Sequence, residues 1–193
     1  MPLVVDHEEV KKCILMAFQA CIEEKPLTNI TLRDIAKKAD MPHTKLLYYF
    51  ENKKDLIKSY VKYTRDYMSE KCVEWFINHP RENHSSGFEY LNAFMEYVAT
   101  GKAGENRPNA TTQTYVLAQY DPEIAALVKQ EFWNWKSTME DCLKAIFDDS
   151  FGENEAEAMM ILISGTFICN YNRALTGKIN SNIIGLIGNL AKA

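Results

Sequence analysis

Cysteine is sparse in this chain and badly spaced for chemistry. The five thiols are Cys13, Cys21, Cys72, Cys142 and Cys169. Their number is odd and no two form a C-x-x-C pair, so neither a disulfide framework nor a zinc site is expected. They read as reduced side chains packed as small apolar groups. Long apolar runs are also missing. The longest uncharged, apolar-rich stretch, Ala158–Asn172, has 15 residues and includes Ser164, Gly165, Thr166 and Asn170. A bilayer span takes about 20. The first residues, through Asp6, His7, Glu8 and Glu9, carry acid where a signal peptide carries base. A soluble, cytoplasmic protein with no membrane partner is the expectation. Enzyme signatures are absent too. There is no G-x-S-x-G, H-E-x-x-H, Walker loop or G-x-G-x-x-G, so neither a catalytic centre nor a cofactor is expected. The histidines, His7, His43, His79 and His84, are scattered. His79 and His84 share a polar loop, and they read as solvated side chains and not as metal ligands.

What is present is an ordinary globular balance. The chain has 193 residues, 47% apolar and 25% charged, enough for one large domain or a small module fused to a bigger one. Its net charge of −4 is unevenly spread. Residues 31–54 hold six bases (Arg33, Lys37, Lys38, Lys45, Lys53, Lys54) against three acids (Asp34, Asp40, Glu51), a local +3. Residues 55–193 carry −5. A short basic segment on an acidic body fits a nucleic-acid-reading head on a larger platform.

Nearly every segment has helical period, and β-branched alternation is scarce. Val10, Ile14, Phe18 and Ile22 predict a helix over about His7–Glu24, ended by Pro26. Thr31 is a good N-cap, with Asp34 three residues on, for a short helix bearing Leu32, Ile35 and Ala36. Asp40-Met41-Pro42 is a tight turn, and Pro42 suits the first position of the next helix, which runs to about Tyr49. Asn52 looks like the cap of a long helix reaching about Ile77. Further helices are expected from Phe88, over Thr111–Tyr120, over Pro122–Phe147 behind an Asp121 cap, over Glu153–Leu175, and around Ile183–Leu190. The fold class is therefore all-α, with about nine helices. The expected domains are a head over 1–52 and a body over 53–193.

Two short helices around a four-residue turn, at residues 31–56, have helix-turn-helix spacing. In that motif the start of the second helix meets base edges in the major groove. His43, Thr44 and Lys45 are the candidates here. Two short helices also pack this way in many all-α proteins, so spacing alone leaves a purely structural reading open.

Residues 31–56 resemble the DNA-binding head of the TetR family of transcriptional regulators. Matching positions are Thr31, Ile35, Ala36, Ala39, Leu46, Tyr49, Phe50, Lys53 and Leu56. The segment departs from the family pattern at Asp40 (turn glycine), Pro42 (capping serine) and Leu47 (first tyrosine of L-Y-x-Y-F). The resemblance implies a homodimer on a palindromic double-stranded operator. It also implies a small-molecule effector in the C-terminal body and, usually, repression relieved by that effector. Phosphate contacts are then expected from Thr31, Tyr48, Tyr49 and Lys53.

The body carries aromatic groups on several helices. Trp75, Phe94, Tyr97, Tyr115, Phe132, Trp135, Phe167 and Tyr171, with Gln113 as a polar anchor, are the candidate effector pocket. They serve equally well as plain core. Trp133 lies off the apolar stripe of its helix and is expected near a subunit contact. The last two helices are apolar on more than one face, which requires cover on all sides. Met160, Ile163, Phe167, Ile183, Ile187 and Leu190 are the candidate dimer interface. Two function classes stand at this point: a ligand-responsive DNA-binding regulator, and a helical small-molecule carrier whose head no longer reads DNA, to which Asp40 and Leu47 would point.

Overall fold

The computed structural model describes residues 6–99, 108–147 and 152–171. Among them are eight α-helices and no strand: α1 (His7–Glu24), α2 (Leu32–Lys38), α3 (His43–Tyr49), α4 (Lys53–Asn78), α5 (Gly87–Ala99), α6 (Pro108–Ala118), α7 (Pro122–Phe147) and α8 (Glu153–Tyr171). Single 3-10 turns stand at Leu27–Asn29 and Arg81–Asn83. The helix expected around Ile183–Leu190 lies outside the described residues. Helix α6 starts at Pro108, three residues before the expected start, because a first-turn proline needs no amide partner.

These residues fall into two compact units. One comprises those up to Arg65 with Asn109–Glu131; the other comprises those from Asp66 to Pro108 with those from Phe132 on. Helices α4 and α7 each run through both.

In the first unit α1 supplies the central stripe. Asp6 caps it by accepting from the Glu8 and Glu9 amides. Ile14, Ala17, Phe18, Cys21 and Ile22 are buried at three- and four-residue spacing. They pack with Ile35 and Ala36 of α2, Leu46 of α3, Leu56 and Tyr60 of α4, Ala110 of α6 and Ile124 of α7. Tyr60 meets Phe18 edge-on at 5.2 Å, and its hydroxyl donates to the buried Gln19 carbonyl oxygen at 2.8 Å. Burial holds that phenol protonated, its pKa well above the usual tyrosine range. Gln113 of α6 spans to the end of α1. Its side-chain oxygen accepts from the Leu27 amide, and its nitrogen donates to the Ile22 carbonyl at 3.2 Å.

The second unit is built on aromatics. Met68, Cys72 and Trp75 of α4 pack with Tyr90, Phe94 and Val98 of α5, Trp135, Met139 and Leu143 of α7, and Met159, Met160 and Ile163 of α8. Trp75 stacks on His79 at 4.4 Å, and Phe76 stacks on Phe94 at 4.4 Å. Gly87 is needed for a close approach, since a Cβ there would stand 2.8 Å from the Phe147 ring. Burial pushes the Cys72 thiol up to about 12, so it is inert at neutral pH. No helix among the described residues is long and apolar enough to cross a membrane.

Candidate nucleic-acid interface

Local chemistry dictates each part of the segment 31–58. Thr31 closes a capping box with Asp34: its hydroxyl accepts from the Asp34 amide at 3.2 Å, and Asp34 Oδ2 accepts from the Thr31 amide at 2.7 Å. The Thr31 hydroxyl hydrogen also goes to Asp34. Lys25 stands 2.9 Å from the same carboxylate. These partners, Thr31 first, hold the Asp34 carboxyl far below the ordinary 3.8.

Helix α2 ends in a Schellman motif. The Met41 amide donates to the Ala36 carbonyl at 3.0 Å and the Asp40 amide to the Lys37 carbonyl at 3.2 Å. The residue between the helix and Met41 must then be left-handed, and Asp40 has φ 50°, the one positive φ outside glycine among the described residues. Pro42 follows as the N-cap of α3, with φ −61° and ψ 140°, one position before the expected place. Its carbonyl accepts the first helical bonds, from Lys45 and Leu46. Leu46 then drops into the core, completely buried, and fixes the rotation of the helix. That rotation leaves Thr44, Lys45, Leu47 and Tyr48 exposed and His43 half-buried. Tyr48 is 73% exposed, and its ring and that of Tyr49 both lie against His7 at the start of α1. Asn52 caps α4, accepting from the Asp55 amide at 2.9 Å.

The six bases of this window are not equivalent. Lys38 is paired with Glu24, and Lys54 with Asp121 and Glu123. The Lys53 ammonium donates to the Leu27 carbonyl. Partial burial, then repulsion from Lys25, lowers its pKa. Two N–H groups of that ammonium remain for another acceptor. Arg33, Lys37 and Lys45 make no ion pair among the described residues. Both donors of Thr31 are engaged by Asp34, so a phosphate would have to displace the capping box to accept from it. The anchoring of Lys54 from α7 and of Leu27 by Gln113 was missed in the sequence. Asp121-Pro122-Glu123 signals only a helix start there.

The candidate effector residues are divided between the two units. Trp75, Phe94 and Trp135 are buried in the core of the second unit, with Tyr97 and Phe132 partly buried against it. Gln113 and Tyr115 belong to the first unit. There Tyr115 accepts from the buried Arg65 guanidinium, and both line a small cleft of about 10 Å³ with Tyr60, Thr64 and Thr111. The side chains of Phe167 and Tyr171 lie outside the described residues, as do Ile183, Ile187 and Leu190. Met160 and Ile163 face the core of their own unit, 1% and 3% exposed. Among the described side chains of α8, the large apolar ones left exposed are Ile161 and Ile168, with Gly165 between them on the same face. Trp133 is half-exposed, off the buried stripe.

Residues 14–60 match the family model of the bacterial regulatory proteins of the tetR family. No curated protein matches the sequence. Among solved structures, the chain is similar to Salmonella enterica GusR at 15% identity, with 96% of each chain covered and a TM-score of 0.71. It is also similar to NalD, the secondary repressor of the MexAB-OprM multidrug efflux pump in Pseudomonas aeruginosa, at 15% identity, 97% of each chain and a TM-score of 0.60. The TetR family repressor AlkX from Dietzia sp. aligns at 14% identity over 94% of this chain and 93% of that one, with a TM-score of 0.51. At these identities the likeness is one of fold. The helix-turn-helix, the matched segment and the fold agree: residues 14–60 are similar to the bacterial regulatory proteins of the tetR family, and the all-α chain around them has the fold of solved regulators of that family.

Proposed function

We propose that the protein is a cytoplasmic, homodimeric transcriptional repressor that a small molecule releases from a palindromic operator, and that it catalyses no reaction. The observation that carries this reading is helix α3. It is anchored by the buried Leu46 and presents Thr44, Lys45 and Tyr48 outward, in a basic segment that also leaves Arg33 and Lys37 exposed. In this reading His43, Thr44 and Lys45 meet base edges. Tyr48, Tyr49, Lys53 and, after exchange of its cap, Thr31 meet phosphate. The head over 1–52 reads DNA, and the body over 53–193 holds the effector and the dimer contact. The exposed Ile161 and Ile168 support a second copy as the cover of α8.

The effector would sit among Trp75, Phe94, Tyr97, Phe132, Trp135, Phe167 and Tyr171, or against Gln113 and Tyr115. Small apolar-walled cavities with a few polar anchors are the usual form of such sites. The direct test is selection of bound duplexes from a random library, followed by binding with His43→Ala and Lys45→Ala. Enrichment of an inverted repeat, with preference altered in the variants, is the expected result. No enrichment would refute the reading.

A further inference from the structure

The start of α7 reaches back to α4 beside the recognition helix. Lys54 Nζ stands 3.0 Å from Asp121 Oδ2 and 3.0 Å from Glu123 Oε1. The other oxygen of Glu123 holds Lys58 Nζ at 2.5 Å. All four groups belong to the first unit. Asp121 is also fixed from its own side, since it caps α7 by accepting from the Glu123 and Ile124 amides at 3.0 and 3.3 Å. The pairing raises the pKa of the Lys54 ammonium and depresses both carboxyls, Glu123 chiefly through Lys58 and Asp121 chiefly through Lys54. An open groove of about 650 Å³ is lined by Lys54, Lys58 and Glu123 together with Tyr48 and Tyr49 of α3. Glu51, Asn52 and Asp55 complete its lining. With both lysines paired, the groove presents a surplus of acid next to two residues expected to meet phosphate.

We infer that Lys54 and Lys58 are phosphate-binding residues held in reserve by Asp121 and Glu123, so that the start of α7 competes with DNA for them. The inference rests on the DNA-binding reading above and adds a regulated pair of contacts to it. Exposed ion pairs of this kind are weak and screened by salt. A phosphate contact carries the further gain of counterion release. The exchange therefore lies near balance, and a small displacement of α7 decides it. Release of Glu123 from Lys58 and Lys54 favours the DNA-bound head; tightening of the clasp opposes it.

Three measurements on the full chain decide the matter. First, the reactivity of Lys58 toward an amine-acylating reagent, read by mass spectrometry, rises several-fold in Glu123→Gln, while Lys54 stays paired with Asp121. Unchanged reactivity would mean that the clasp does not form, and would overturn the inference while leaving the DNA-binding reading intact. Second, Glu123→Gln tightens binding to a fluorescent mixed-sequence duplex several-fold at low salt. It also steepens the log–log salt slope by about 0.9 per head for the one lysine released. An unaltered slope overturns the inference. Third, the same substitution placed on Lys54→Met/Lys58→Met changes neither affinity nor slope. A gain that persists there would show that Glu123 merely repels DNA, which also overturns it. Absence of duplex binding by both wild type and Glu123→Gln at low salt, with lysine reactivity raised, would refute the DNA-binding reading itself, and the phosphate role of both lysines with it.

Discussion

Replacing Asp40 by glycine should stabilise the head, and by an amount that the turn geometry sets. Asp40 is held at φ 50° because the Schellman bonds from Met41 and Asp40 close the end of α2 only with a left-handed residue there. A side chain with a Cβ costs about 1–2 kcal/mol in that region, and aspartate stands at the low end. Its carboxylate is exposed and makes no ion pair or hydrogen bond with Lys37 or His43 among the described residues, so little is lost with it. Glycine returns about 0.4–1 kcal/mol through the entropy of the unfolded chain. The net gain for Asp40→Gly is therefore about 0.5 kcal/mol. In a chain of this length it raises Tm by about 1–2 °C. Asp40→Ala keeps the full Cβ cost without the tolerance of aspartate, and should melt roughly 2–4 °C below the glycine variant. Differential scanning calorimetry of the three proteins reads the order directly: Gly, then Asp, then Ala. The glycine variant should also bind duplexes more tightly in general, since a negative charge has left a basic window. A glycine variant less stable than wild type, with weaker DNA binding, would show that the carboxylate is a positive part of the turn and would refute this reasoning.

Other outcomes follow from the same geometry. Thr31→Ala removes the hydroxyl of the capping box and should cost about 1 kcal/mol of stability in urea unfolding. The Asp34 carboxyl, held below its ordinary 3.8, supplies stability that is complete above about pH 4 and drains away as pH falls further. Asp34→Asn should flatten that acid limb in thermal melts. Lys53→Ala should lower the salt slope of duplex binding by about 0.9 per head, with little change in sequence preference; an untouched slope would remove Lys53 from the phosphate contacts. Ile161→Asp should yield a folded monomer in sedimentation, whereas Ile163→Asp, 3% exposed in the core of its unit, should unfold that unit because a buried unpaired charge costs several kcal/mol.

Local chemistry carried most of the helix limits. The bounds of α1 follow from apolar spacing and Pro26, and the left-handed turn residue follows from the two-helix spacing with Asp40 where glycine is usual. Pro42 lay one position off because its carbonyl, and not its ring, opens α3. What escaped the sequence is long-range. The bond from Gln113 to the Leu27 amide crosses 86 residues, and no pattern links the acids at Asp121 and Glu123 to Lys54 and Lys58. Helix α8 was illegible for a different reason. Apolar residues surround it, so periodicity assigns no phase, and only packing separates the buried Met160 and Ile163 from the exposed Ile161 and Ile168. The basic window sums to +3, but a sum of charges does not say which cations are already paired.

The central claim is that this head reads DNA through α3, and a gel shift with the DNA flanking the protein's own coding sequence tests it most directly. In excess non-specific competitor, the wild-type protein should retain a discrete complex that Lys45→Ala and His43→Ala weaken and that some small molecules dissolve. No complex even at low salt without competitor, with or without candidate small molecules, would contradict the account and favour a helical carrier whose head no longer binds DNA.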